Sequence, residues 1–204
     1  GSPGDDVRTY TTTLRGVAGT GTPTLTVRLQ GGSDTDAPNE HRVRIRWNGN
    51  DLGDATWDGI APWVATFPLG PTDVVEGTNT LVLTAILEPG LGYDVVYVDS
   101  FDVSYPRLYR AVDDELSFTV PAGAEAAVSG FASPGAVLLD VTAPQSPLLV
   151  AGAVSWAPGD GTYGLRFANR SGGERSYLAV LPARARTPVS LTPGRPFLLS
   201  AATN

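Results

Sequence analysis

The residues best suited by type and spacing to contact a ligand lie in Trp57-Asp58-Gly59-Ile60-Ala61-Pro62-Trp63. Two indoles in a stretch broken by Gly and Pro can offer flat faces to the apolar side of a pyranose ring. Carboxylates nearby, Asp54 and Asp58, can accept hydrogen bonds from the sugar hydroxyls. Trp57, Asp58, Trp63 and Asp54 are therefore the candidate ligand contacts, with a polysaccharide as the fitting ligand class. The competing reading is that these aromatics plug a core.

Catalytic chemistry is poorly supplied. A nucleophile needs a base beside it and a third group to orient that base. Cys is absent and the one histidine is His41. It opens an alternating run and reads as structural. Paired carboxylates are the minimum for glycoside hydrolysis. Asp51, Asp54, Asp58, Asp94, Asp99 and Asp102 are available, yet no spacing selects a pair, and acidic residues are common in turns. No catalytic residue is assigned, and the chain is expected to be non-enzymatic.

Composition narrows the class further. With 204 residues the chain can hold two modules, and 42% apolar content supports packed cores despite 24 Gly and 17 Pro. Without Cys, disulfides and cysteine-based metal sites are excluded. All 14 basic residues are Arg, and the net charge is −7. Up to Arg107, acids outnumber Arg 14 to 7, whereas the remainder is balanced at 7 each. An acidic surface repels phosphate backbones, so nucleic acid is set aside as a partner. No apolar run reaches the length of a membrane span. The opening Gly1-Ser2-Pro3-Gly4 lacks an initiator Met, which is compatible with a leader having been removed.

Alternation of apolar and polar residues dominates, and helical periodicity is nearly absent. In the first half, strands are predicted over Thr9–Leu14, Thr24–Leu29, His41–Trp47, Val64–Leu69, Asn79–Leu87, Asp94–Val98 and Ser100–Tyr105. In the second they are predicted over Leu116–Val120, Ala126–Gly130, Ala136–Val141, Leu148–Val154, Gly161–Ala168, Arg175–Leu181 and Pro196–Ala201. The clearest is His41-Arg-Val-Arg-Ile-Arg-Trp47, which puts Val43, Ile45 and Trp47 on a core face and Arg42, Arg44 and Arg46 on the other. Those arginines are expected to pair with acids on adjacent strands. Asn48-Gly49 after Trp47 signals a tight hairpin. The fold class is all-β, with two β-sandwich modules over residues 1–107 and 108–204.

The stretch His41-Arg-Val-Arg-Ile-Arg-Trp-Asn-Gly-Asn50, with Leu52-Gly53, Trp57-Asp-Gly59, Glu76-Gly-Thr-Asn-Thr-Leu81 and Val98-Asp-Ser-Phe-Asp-Val-Ser-Tyr-Pro-Arg107, resembles the region preceding the catalytic domain in secreted gingipain-like cysteine peptidases and their sortase-like relatives. The resemblance continues through Leu116-Ser-Phe118 and Val137-Leu-Leu-Asp-Val-Thr-Ala-Pro144. It ends near Ser200–Asn204, where such proteins enter their caspase-like peptidase domain. The first half also resembles galactose-binding-like jelly rolls, a fold shared by several carbohydrate-binding modules. An immunoglobulin-like sandwich is expected for the second half.

The peptidase resemblance implies a bacterial, secreted or cell-surface accessory region or pro-region that binds or restrains a cognate peptidase domain. The jelly-roll resemblance implies, as the alternative, a module that binds a polysaccharide through the first sandwich. In an inhibitory pro-region of an Arg-directed peptidase, Arg184 or Arg186 in Pro182-Ala-Arg184-Ala-Arg186-Thr-Pro188 could fill the specificity pocket, and these are the candidate partner contacts. Jelly-roll modules often staple a loop with calcium. The acid-rich Ser33-Asp34-Thr35-Asp36 segment makes Asp34 and Asp36 candidate ligands for such a structural ion, although their spacing is not that of an EF-hand.

Overall fold

In the computed structural model residues 6–185 are described, and among them are fourteen β-strands, one 3-10 turn and no α-helix. The chain divides into two compact units, Gly1–Arg110 and Ala111–Asn204, a boundary three residues beyond the one expected.

The first unit contains β1 (Asp6–Leu14), β2 (Thr24–Gly31), β3 (His41–Trp47), β4 (Asn50–Trp57), β5 (Pro62–Pro68), β6 (Gly77–Ala85) and β7 (Val96–Ser104). They form two antiparallel sheets, β1-β6-β3-β4 and β5-β2-β7. Alternation decides which side chains lie between the sheets. Leu25, Val27 and Leu29 of β2 face Val43, Ile45 and Trp47 of β3 and Leu81 and Leu83 of β6 across one core, all nearly or fully buried. Trp47 sits at its centre and donates its indole N–H to the Asp73 carbonyl at 2.9 Å.

Strand β4 follows from the Asn48-Gly49 turn. Positive φ at Asn48 (48°) and Gly49 (87°) closes a tight hairpin, and the register then carries β4 back until Trp57 lies opposite His41. Asp51, Gly53 and Asp54 hide this strand from sequence reading because they have low strand propensity. Gly53, at φ 106°, absorbs a bulge opposite Ile45 and Arg46. The two predicted strands around Asp99 are one strand, β7, with a register shift there.

The second unit contains β8 (Glu115–Val120), β9 (Glu125–Phe131), β10 (Val137–Asp140), β11 (Leu148–Leu149), β12 (Val154–Trp156), β13 (Tyr163–Ala168) and β14 (Arg175–Val180), followed by the 3-10 turn Pro182–Arg184. Its sheets are β11-β10-β14-β8 and β12-β13-β9. The predicted strand Leu148–Val154 is split between them, because Gly152 (φ 83°) turns the chain from one sheet to the other. The all-β class and sandwich architecture hold in both units. Within that class, β8 lies beside β14 and β9 belongs to the other sheet, whereas an immunoglobulin sandwich sets its first strand beside its second. The predicted strand Pro196–Ala201 lies outside the described residues.

Candidate functional site

One end of the first sandwich gathers the chemistry-bearing side chains. His41 opens β3, Trp57 closes β4, Ser33 follows β2 and Asp94 precedes β7. Strand pairing brings these four chain ends together. Gly31, at the end of β2, leaves the space they fill: a Cβ there would collide with the Gly59 carbonyl and the His41 ring.

His41 is fully buried. Its Nδ1 lies 2.6 Å from Asp94 Oδ1, its Nε2 lies 3.1 Å from the Gly59 carbonyl oxygen, and Glu40 Oε1 is 3.6 Å from Nε2. Both ring nitrogens therefore lie within hydrogen-bond reach of an oxygen atom. Ser33 Oγ donates to the same Asp94 oxygen at 3.3 Å and accepts the Val95 N–H at 3.2 Å. The carboxylate thus stands between serine and histidine, the wrong order for imidazole to take the serine proton. This cluster latches four chain ends.

Glu40 completes the latch. Its carboxylate accepts the Gly59 N–H at 2.8 Å, and its own N–H donates to Asp58 Oδ1 at 3.1 Å. The Thr35 hydroxyl, ahead of the Gly59 N–H and the charge of His41, holds the Glu40 carboxyl below the usual range against the opposing effect of burial. Nothing local in the sequence announces Asp94, which is 53 residues from its histidine.

The predicted sugar contacts are not gathered on one open surface. Trp57 is only 9% exposed and stacks on Trp63, with ring centroids 6.0 Å apart and planes inclined by 27°. The His41 ring lies 4.8 Å from Trp57 on one side and Phe67 lies 6.5 Å from Trp63 on the other, so the four rings form a ladder between the sheets. Trp63 is half-buried and packs against the core. Asp54 is bound on the outer face by Arg42 (2.6 Å) and Arg44 (2.9 Å), whose hydrogen bonds hold its carboxyl below the usual range. The exposed Asp58 is engaged as a cap on Glu40.

The three arginines of β3 pair as cross-strand physics expects. Arg42 also meets Glu88 at 3.1 Å, and Arg46 lies 3.7 Å from Asp51. Asp34 and Asp36 are exposed. Asp34 faces the loop after β4, since a Cβ at Gly59 would lie 3.4 Å from its Oδ1. Among the described residues, no three Asp, Glu, His or Cys side chains converge in a way that could hold a metal ion. Arg184 is exposed at the end of the 3-10 turn, and Arg186 lies outside the described residues. No described helix is long and apolar enough to cross a membrane.

No family profile matches the chain, and no curated protein matches it. Among solved structures, the dimeric latent form of PorU from Porphyromonas gingivalis is similar at 14% identity with a TM-score of 0.56. The alignment covers 89% of this chain and 18% of that one, so this chain spans less than a fifth of its structural neighbour. At this identity the likeness is one of fold.

Proposed function

We propose that the chain is a non-catalytic accessory region or pro-region of a secreted or surface-displayed bacterial gingipain-like peptidase, acting by binding or restraining a partner domain. The observation that carries this reading is the extent of the fold likeness: it runs through both sandwiches and takes up a small part of a much longer protein described as latent. The sequence resemblance to the region ahead of the catalytic domain in gingipain-like peptidases points the same way. The internal use of polar side chains supports a scaffold, since His41 and Asp54 are bound within the first unit and Asp94 and Glu40 each give one carboxylate oxygen to a partner there.

The polysaccharide-binding alternative rests on Trp63, the one indole of the predicted pair that keeps partial exposure. It ranks second because Trp57 is buried and Asp54 is held by two arginines.

The test starts from the gene. If a caspase-like peptidase domain follows Asn204, that domain is expressed alone and mixed with this chain, and hydrolysis of an Arg-containing peptide substrate is followed. Saturable slowing by the intact chain, weakened by Arg184→Ala, is the expected result. Unchanged hydrolysis together with retention of the chain on a polysaccharide column would replace this reading with the alternative.

A further inference from the structure

An exposed arginine in the middle of a sheet ordinarily finds an acid on a neighbouring strand, as Arg42, Arg44 and Arg46 of β3 do. Arg166 does not. It lies on the outer face of β13, the central strand of β12-β13-β9, with Val154 opposite it on one side and Ala127 on the other. Its guanidinium is held instead over the Trp156 indole, 4.0 Å from the ring centroid.

The indole is itself fixed. Trp156 is half-buried, and its N–H donates to the Val128 carbonyl at 3.3 Å. Gly164 keeps that path open, since a Cβ there would stand 2.4 Å from the indole nitrogen and 2.2 Å from the Val128 oxygen. A cation–π contact engages the guanidinium without consuming its N–H donors. Arg166 is therefore a cation held in place with its hydrogen-bonding edge uncommitted.

Arg170 stands beside it. Both arginines line one open recess of about 440 Å³. The turn that carries Arg170 is tied down by the buried Asn169, whose side-chain amide donates to the carbonyls of Val120, Pro121 and Gly173. Among the described residues neither arginine makes an ion pair, and Glu125, the acid that also lines the recess, pairs with neither.

We infer that this recess binds a carboxylate of an acidic peptide segment on a protein partner, with Arg166 supplying the two parallel N–H donors of a bidentate pair and Arg170 a second cation. Three observations select that ligand. Two arginines and one glutamate leave a single net positive charge, which matches one carboxylate better than a phosphate group carrying close to two negative charges. Arg166 already covers the Trp156 ring, so the indole is not an open platform for the sugar of an acidic glycan. The wall beside the arginines is apolar at Val154 and Ala127, which suits the aliphatic stem of a glutamate. The site is independent of any restraint exerted on a peptidase.

The test titrates the whole chain, with isotope-labelled arginine side chains, with a short alanine peptide carrying one glutamate, and follows the Nε–H signals by NMR. The signals of Arg166 and Arg170 should shift saturably with a dissociation constant of about 1 mM or tighter, and the glutamine counterpart of the peptide should leave them in place. Arg166→Gln should weaken binding at least about tenfold. Arg166→Lys should recover little of that loss, because an ammonium cannot form the bidentate pair. Trp156→Leu should weaken binding about threefold through loss of the support under Arg166, whereas Glu125→Gln should tighten it. Arg8→Gln in the first unit should change nothing. Thermal melting of each variant checks that the fold persists. Equal shifts with the glutamine peptide, no saturation up to about 10 mM, or tighter binding of glucuronate or inorganic phosphate than of the acidic peptide would overturn the inference.

Discussion

Replacing His41 with alanine tests the central structural claim of the site. The ring is fully buried and gives Asp94 its 2.6 Å partner. Without the ring, Asp94, whose side chain is only 6% exposed, keeps the Ser33 hydroxyl but has lost its shortest contact. Leaving a buried carboxyl group without its hydrogen-bond partner costs about 3 kcal/mol or more, the upper end of the range for buried polar groups. Whole domains are stable by only about 5–15 kcal/mol, so a large share of the first unit's stability should vanish. For a domain near this size each kcal/mol moves the melting temperature by about 4–8 °C, which puts the expected drop above about 10 °C. Urea unfolding followed by indole fluorescence is the suitable assay, because Trp47, Trp57 and Trp63 all lie in the first unit. The loss should shrink when Asp94→Asn is added, since the carboxyl group that the ring serves is then already gone, and the double-mutant cycle measures that coupling. A loss under about 1 kcal/mol, the size of an ordinary hydrogen bond, or the absence of coupling would refute the latch.

Other outcomes follow from single features. Glu76 is held below the usual carboxylate range, first by the Val17 N–H and then by the Gly16 N–H and nearby arginines. A lowered folded pKa gives stability that is present above the ordinary value of 4.5 and lost as pH falls through the folded one, so Glu76→Gln should flatten the decline of the urea midpoint below that pH. Gly31→Ala would push a methyl into the Gly59 carbonyl and the His41 ring, and overpacking of this kind should cost at least about 1–3 kcal/mol in the same urea titration. Phe131→Ala empties the centre of the second unit, where the ring is fully buried, and should cost about 3–5 kcal/mol; calorimetry should show that loss in the second unit's transition and not the first's. Trp63→Ala should leave the chain's behaviour on a panel of immobilised polysaccharides unchanged, and binding that the substitution abolishes would favour the carbohydrate reading.

Periodicity made the central strands legible. His41–Trp47 alternates so cleanly that both its core face and its arginine face could be read directly, and Arg42, Arg44 and Arg46 do find acids. Strand β4 was hidden because its acids and glycine suit a turn as well as a strand, and with it was lost the orientation of Trp57. Read as part of a loop, that indole is a platform; set opposite His41 in a register fixed by the Asn48-Gly49 turn, it points inward. The latch was illegible for another reason. Ser33, His41 and Asp94 are joined only by strand pairing across long separations, and no local pattern records such a meeting.

The distribution of satisfied and unsatisfied groups bears on function. A catalytic centre or sugar site keeps polar side chains convergent and uncommitted, ready for a substrate. In the first unit the acids nearest the aromatic ladder are each engaged through at least one oxygen, Asp94 with His41, Glu40 with Gly59, Asp58 with Glu40 and Asp54 with two arginines, while Glu40 Oε2, Asp94 Oδ2 and the Trp57 indole N–H are buried there without a hydrogen-bond partner. The outer strands of the second sandwich leave apolar surface exposed, at Leu148, Leu149 and Val154. Surface of that kind suits other proteins far better than small polar ligands. The apolar surface at Leu148, Leu149 and Val154 is of the kind the proposed accessory role would use on a protein partner.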